Sequence, residues 1–228
     1  MASSQSVSRA VSAAVLLGMA VLFLASVGAA LMQTDTGHTT RLAEHVARAK
    51  ARGMKRVEMP APLPTYAEVN SVSEALRSYT LVTAEVVGSQ SVASSDEYQI
   101  FTFYKFRVLD NLSNKLMPAV EAMPAAESLL PISSGEFVLR MQGGEVERDG
   151  IRVRSRGDTP PFTSAKQYML FLAFHPDAGG LASLEIGPTG VYTVEKGKMV
   201  PLEGLSRLAR DLHASYANSL SRLQDSIH

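Results

Sequence analysis

YQIFTFYKFRVL, Tyr98 to Leu109, decides how this chain folds. The stretch is dense in aromatic and β-branched residues and contains neither glycine nor proline, which marks a long strand. Successive strand residues point to opposite sides, so its aromatics occupy both faces. One set must enter a core. The other must be covered, or else serve as a stacking surface for bases or sugars. The pattern favours the core.

The same two-residue period extends outward from this strand. Leu81–Val87 places Val82, Ala84 and Val86 on one side and Thr83 and Glu85 on the other. Glu136–Met141 points Phe137, Leu139 and Met141 inward, and Gly143-Gly144 then permits a bulge or bend. Glu145–Ser155 reads as a hairpin around Asp149-Gly150, a strong two-residue turn signal. Its register opposes Arg148 to Ile151, Glu147 to Arg152, Val146 to Val153 and Glu145 to Arg154. Arg152, Arg154 and Arg156 are a candidate anion-binding stripe, but the register makes a cross-strand charge ladder the favoured reading. Gln167–Phe174, QYMLFLAF, is the most apolar segment and predicts a central strand. Leu184–Ile186, Val191–Val194 and Met199–Pro201 complete the set. No alternation of strands with helices appears, so the expectation is an antiparallel barrel or sandwich.

Helices flank these strands. Ser71-Val72-Ser73-Glu74 matches a capping box and predicts a short helix to about Arg77. Leu205, Leu208, Leu212, Tyr216, Leu220 and Leu223 recur every three or four residues, which predicts one amphipathic helix to near the C-terminus. Thr40–Arg56 reads as a basic helix with Leu42, Val46 and Ala49 on a thin apolar face. It is expected to be a solvated spacer rather than a helix lying on anionic lipid. Met59-Pro60-Ala61-Pro62-Leu63-Pro64 predicts an extended, stiff linker.

No charged residue occurs from Ala10 to Met32. That run is long enough to cross a bilayer as a helix. An uncleaved anchor is the preferred reading. The alternative is a cleaved signal, with small residues at Val27 and Ala29 or Gly28 and Ala30. Arg9 precedes the run, and Arg41, Arg48, Lys50 and Arg52 follow it; counted literally, they would keep the domain in the cytoplasm. Gln33–Thr40 carries no positive charge and a large folded domain follows, so the extracytoplasmic side is favoured. The expected organisation is a tail (1–9), an anchor or signal (10–32), a basic helix and linker (33–70), a β-barrel (71–203) with an insert (111–134), and a terminal helix (204–228).

Composition limits the chemistry. Lys+Arg and Asp+Glu are equal at 22 each, so no nucleic-acid partner is expected. There is no cysteine, which excludes disulfides, thiol catalysis and thiolate metal sites. His38, His45, His175, His213 and His228 show no metal-ligand spacing. His175-Pro176-Asp177 reads as a polar turn, as does Asp96-Glu97, and Arg156-Gly157-Asp158 as a chance tripeptide. No Gly-x-Ser-x-Gly elbow and no phosphate loop occur. No catalytic, metal or cofactor residue is assigned, and no cofactor is expected. Asn111-Leu112-Ser113 spells a glycosylation triplet of little weight.

Several motifs recur together between Ser71 and Pro201. Ser71–Ser78 precedes Leu81–Val87, and the aromatic strand ends in Phe106-Arg107-Val108-Leu109. Phe137–Gly144, Pro160-Pro161-Phe162, Tyr168–Leu172 and Gly190-Val191-Tyr192 follow. This order resembles an uncharacterised group of bacterial exported domains. The resemblance implies a small antiparallel OB-like β-barrel and is silent on function. The chain departs from the group at Ser164-Ala165-Lys166, where glycine is usual. It departs again at Asn111–Ser134, where a few residues are usual and a long insert stands. Loops of that length are uncommon and tend to be functional or disordered. Met117, Met123, Leu129 and Leu130 are therefore candidate partner contacts, since Met-rich surfaces adapt to what they bind.

The expected fold is mainly β with flanking helices: an OB-like barrel after an N-terminal transmembrane or signal helix and before a C-terminal amphipathic one. The expected function is a non-catalytic module, tethered to the bilayer through 10–32 or exported, that binds a protein or a cell-envelope component. The alternatives are an envelope hydrolase with a dispersed site, or an oligosaccharide or single-strand binder using 98–106.

Overall fold

A computed structural model describes residues 40–62, 64–113, 115, 130, 132–157, 162–175 and 181–227. The chain divides into two compact units, Met1–Thr40 and Arg41–His228, and every described element lies in the second. The expected anchor at 10–32 lies outside the described residues. Among those described, no helix is long and apolar enough to cross a membrane.

The second unit is mainly β with flanking helices, as expected. Its main sheet holds β2 (Thr80–Ala93), β3 (Ile100–Asn111), β4 (Glu136–Gln142), β7 (Gln167–His175), β8 (Leu181–Ser183), β9 (Val191–Glu195) and β10 (Lys198–Pro201), in the order β10-β9-β7-β2-β3-β4-β8. β8 also pairs with β7, so the sheet returns on itself as a ring. Closure is narrow, because Ala182 is opposite Phe174 on one side and Leu139 on the other. β2 changes register at Thr83/Ala84 and at Val86/Gly88. Such bulges increase local twist and bend a long strand around a small ring.

The ring interior takes Val82, Ala84, Tyr104, Phe106, Phe137, Leu139, Tyr168, Leu170 and Leu172. With Val86 and Met141, these include the inward sets read from the alternation of Leu81–Val87 and Glu136–Met141, and Gln167–Phe174 contributes Tyr168, Leu170 and Leu172. Phe162 sits among the rings, edge-on to Tyr104, Phe106 and Tyr168 at 5.1, 5.1 and 5.0 Å. Met169 and Phe171, on the other face of β7, are buried in a second cluster. β7 is therefore covered on both sides, which is why its sequence is a continuous apolar run.

Helices make that second cover. α2 (Val72–Ser78) begins at the predicted cap: Ser71 Oγ accepts from Glu74 N–H at 3.2 Å, while Glu74 Oε2 accepts from Asn70 N–H at 3.0 Å, one residue before the N–H that a capping box would use. Lys115 Nζ closes its other end, donating to the Arg77 and Tyr79 carbonyls. The terminal helix is two helices, α3 (Arg207–Tyr216) and α4 (Leu220–Ile227). Ala217 and Asn218 between them both have positive φ, at 52° and 56°. The break docks on the β9–β10 turn: Met199 N–H donates to Asn218 O, and Leu220 N–H to Gly197 O. Leu208, Leu212 and Leu223 are buried as the period predicts. Leu205 precedes the Ser206 cap and is 90% exposed.

A second sheet has the order β1-β6-β5, from β1 (Arg56–Met59), β5 (Gly144–Arg148) and β6 (Ile151–Ser155). The β5–β6 register is the one predicted at all four pairs. β1 joins β6 in parallel, Arg56 beside Arg152 and Met59 beside Ser155. α1 (Leu42–Ala51) lies on this sheet, with Leu42, Val46 and Ala49 buried against Ile100, Ile151 and Val153. The thin apolar face is thus in contact with protein, and neither a solvated spacer nor a lipid-lying helix describes it. Met59, read as the start of the linker, is buried in the same cluster.

The two sheets meet at a crossing with no room for side chains. Gly143 has φ +94°, and a Cβ there would lie 2.3 Å from Gly157 N. A Cβ on Gly144 would lie 2.3 Å from Thr102 Oγ1. Thr102 Oγ1 donates to Gly143 O at 2.7 Å and shares a hydrogen bond with Ser91 Oγ.

Candidate functional site

An open groove lies on the described surface. It holds about 640 Å³ and lies between 64–70, the 3₁₀ turn Gly187–Gly190 and the start of α3. Tyr66 forms one wall: its ring lies where a Cβ on Gly187 would be, at 2.6 Å, so only glycine admits it. Ala67 N–H donates to Glu185 O and pins the extended segment. Ile186 and Pro188 line the groove, and Leu205 projects at its rim. Glu68, Glu203, Arg207 and Arg210 line it too, so its charge is mixed. Arg207 Nη1 donates to Asn70 Oδ1 at 2.6 Å, tying α3 to the residue before the α2 cap. Asp211 Oδ2 accepts from Val72 N–H at 2.8 Å.

The sequence reading missed this groove. It placed Leu205 on the buried face of the terminal helix by its spacing to Leu208. The signal against that was Ser206: a cap hydroxyl there starts the helix one residue too late to hold Leu205.

The arginine stripe is a mixed lattice of acidic and basic side chains. Arg152 and Arg154 are exposed on β6, with Glu147 and Glu145 opposite them on β5. Arg156 Nη2 pairs with Glu58 at 3.1 Å, and Arg56 Nη2 reaches Glu145 at 3.0 Å. Of the proposed partner contacts, Met117, Met123 and Leu129 lie outside the described residues. Leu130 is half-buried, packed with Ile132 on the cluster of Phe103, Val138 and Leu181.

The aromatic strand is largely committed to packing. Phe103, Tyr104 and Phe106 are buried, and Phe106 stacks on Phe137 at 5.2 Å. Phe101 and Tyr98 are partly exposed, each under an arginine: Arg140 at 5.2 Å and Arg41 at 5.6 Å. Asn111 Nδ2 donates to Lys115 O, so the glycosylation triplet holds a turn instead of presenting its amide.

Few ionisable groups are perturbed. Glu136 has a side chain 7% exposed; burial alone would raise its pKa, but the Ser133 N–H, Lys105 and Arg107 together hold it below the usual carboxylate range. Burial pushes the Tyr192 hydroxyl well up, and no partner for it occurs among the described residues. Asp96 accepts from Ser94 Oγ and Tyr98 N–H, which confirms a turn. His213 Nδ1 is 3.3 Å from Asn218 Nδ2. His38, His228, Pro176 and Asp177 lie outside the described residues, and of His175 only the backbone is described. Among the described residues, no group of His, Asp and Glu is arranged to hold a metal ion.

Comparison with family models, with curated proteins and with solved structures finds no match.

Proposed function

We propose that Arg41–His228 is an OB-like β-barrel module that binds another protein or a cell-envelope component. It would be held at the extracytoplasmic face by residues 10–32, or exported after their removal. Connectivity supports the barrel reading. β2, β3, β4, β7 and β8 form a five-stranded closed array in the order β2-β3-β4-β8-β7, with β4 and β8 parallel. Small partly open Greek-key barrels of five strands are the OB architecture.

The observation that carries the binding reading is Leu205, 90% exposed beside Tyr66, Ile186 and Pro188 in an open groove. A large apolar side chain fully in water at the mouth of a groove of mixed polarity gains most from a partner that covers it. The test is capture from detergent-solubilised membranes with the full chain carrying a photo-crosslinker at position 203, which lines the same groove. A discrete adduct that Leu205→Asp abolishes, and that Leu109→Asp on an unrelated exposed surface retains, supports the reading. The same captured set with Leu205→Asp overturns it.

A further inference from the structure

We propose that α1 and β1 form an acid-released strap over the second sheet, with His45 as its trigger. The strap has its own cluster: Leu42, Val46, Ala49 and Met59 pack on Ile100, Ile151 and Val153, apart from the ring interior and the helix layer. Its polar attachments sit at hairpin tips. Leu42 N–H donates to Glu97 O at 2.8 Å, and Arg41 Nε to Tyr98 Oη at 3.3 Å. Lys50 Nζ reaches Asp149 at 2.8 Å, while Glu97 is bound to Arg148. β1 adds its parallel pairing and Arg152 N–H to Lys55 O. Opening the strap would uncover the apolar face of β6 and its free edge while leaving the ring closed.

His45 lies between Leu42 and Val46 on α1, and its Nε2 is buried without a hydrogen-bond partner among the described residues. The neutral ring tolerates this, with Nδ1 carrying the proton. The imidazolium does not, because Nε2 must then donate into an apolar surface. The charges acting on it are Arg48 and Glu44 of its own helix. Among the described residues, no carboxylate other than Glu44 acts on it. Asp96 and Glu97 are bound within the β2–β3 turn or to Arg148, and Asp149 to Lys50. Arg56, Glu58, Arg152 and Arg154 are exposed, alternating with Val57, Met59, Ile151 and Val153, which face α1.

Burial, with Arg48, holds His45 below its ordinary value. The open state then binds a proton that the closed state refuses, so closure is favoured at higher pH and lost as pH falls below about 6.5. Between that point and the folded value, each pH unit multiplies the open fraction about tenfold. Glu97 and Asp149 have carboxyls held below their usual range by Arg148 and Lys50, so they do not titrate in this window.

Hydrogen exchange of the full chain in detergent, at pH 7.5 and 5.5 with labelling times corrected for intrinsic chemistry, tests the proposal. The expected result is faster exchange at 42–51, 56–59 and Arg152 at the lower pH, with β2 and β7 unchanged. His45→Leu should remove the difference, and His45→Gln serves if the leucine variant does not fold. Exchange at 42–59 that is independent of pH, or the same acceleration in the folded variant, overturns it.

Discussion

The ring and the strapped sheet solve the same problem with different means. The ring buries an aromatic cluster inside strands that are close in sequence or joined by long antiparallel registers. The strapped sheet has a small aliphatic cluster, one parallel strand of four residues and a frame of exposed ion pairs. Burial sets the stability of the first. The second stays closed on a narrower margin, because exposed ion pairs contribute little. Two parts of one unit should therefore open separately, the smaller at lower cost.

Leu170→Ala should have the largest effect. It empties a fully buried site in the ring, and a loss of about 2–5 kcal/mol is expected from denaturant unfolding. A loss under about 1 kcal/mol would make the ring as loosely held as the strap and remove the contrast. Val153→Ala should cost less, bounded by the roughly 1.5–3 kcal/mol that burying a valine contributes. The decisive measure is where it acts: exchange should quicken at 42–59 and 144–155 and not in β7.

Acid should separate the regions again. Glu136 is held below its usual range, so its contribution to the ring is complete above about pH 4.3 and is lost as pH falls through the folded value. Melting temperature should fall more steeply below about pH 4.3 in the wild type than in Glu136→Gln. The smallest effect is expected from Arg56→Met, which removes an exposed pair with Glu145. Global stability should change by less than about 1 kcal/mol. A larger loss would show that the charge frame, and not the apolar cluster, holds the strapped sheet.

What could be read in advance follows the reach of each interaction. The inward residues of β2 and β4, the central place of β7, the hairpin register and the Ser71 cap are local patterns, and each is seen. The crossing at Gly143-Gly144 was marked by its glycines. Closure through β8 was not legible, because three residues with one shared position carry no periodic signal. The burial of Leu42, Val46 and Ala49 was not legible either, since their partners Ile151 and Val153 are remote in sequence. The helix break at Ala217-Asn218 has no glycine or proline to announce it; the β9–β10 turn imposes it. The groove was hidden for a similar reason, as Tyr66, Ile186 and Leu205 share no pattern.

The parallel pairing of β1 with β6 also has a schedule. Arg56 is made early, and its neighbour Arg152 follows 96 residues later. At about 5–20 residues per second, β1 and the basic helix before it wait roughly 5–20 s for the surface they will cover. During that interval the edge-forming backbone of β1 has no strand to pair with, and Leu42, Val46 and Met59 lack the cover of Ile151 and Val153. The first described piece to be synthesised is thus among the last that can dock, and the fold completes by returning to its own beginning.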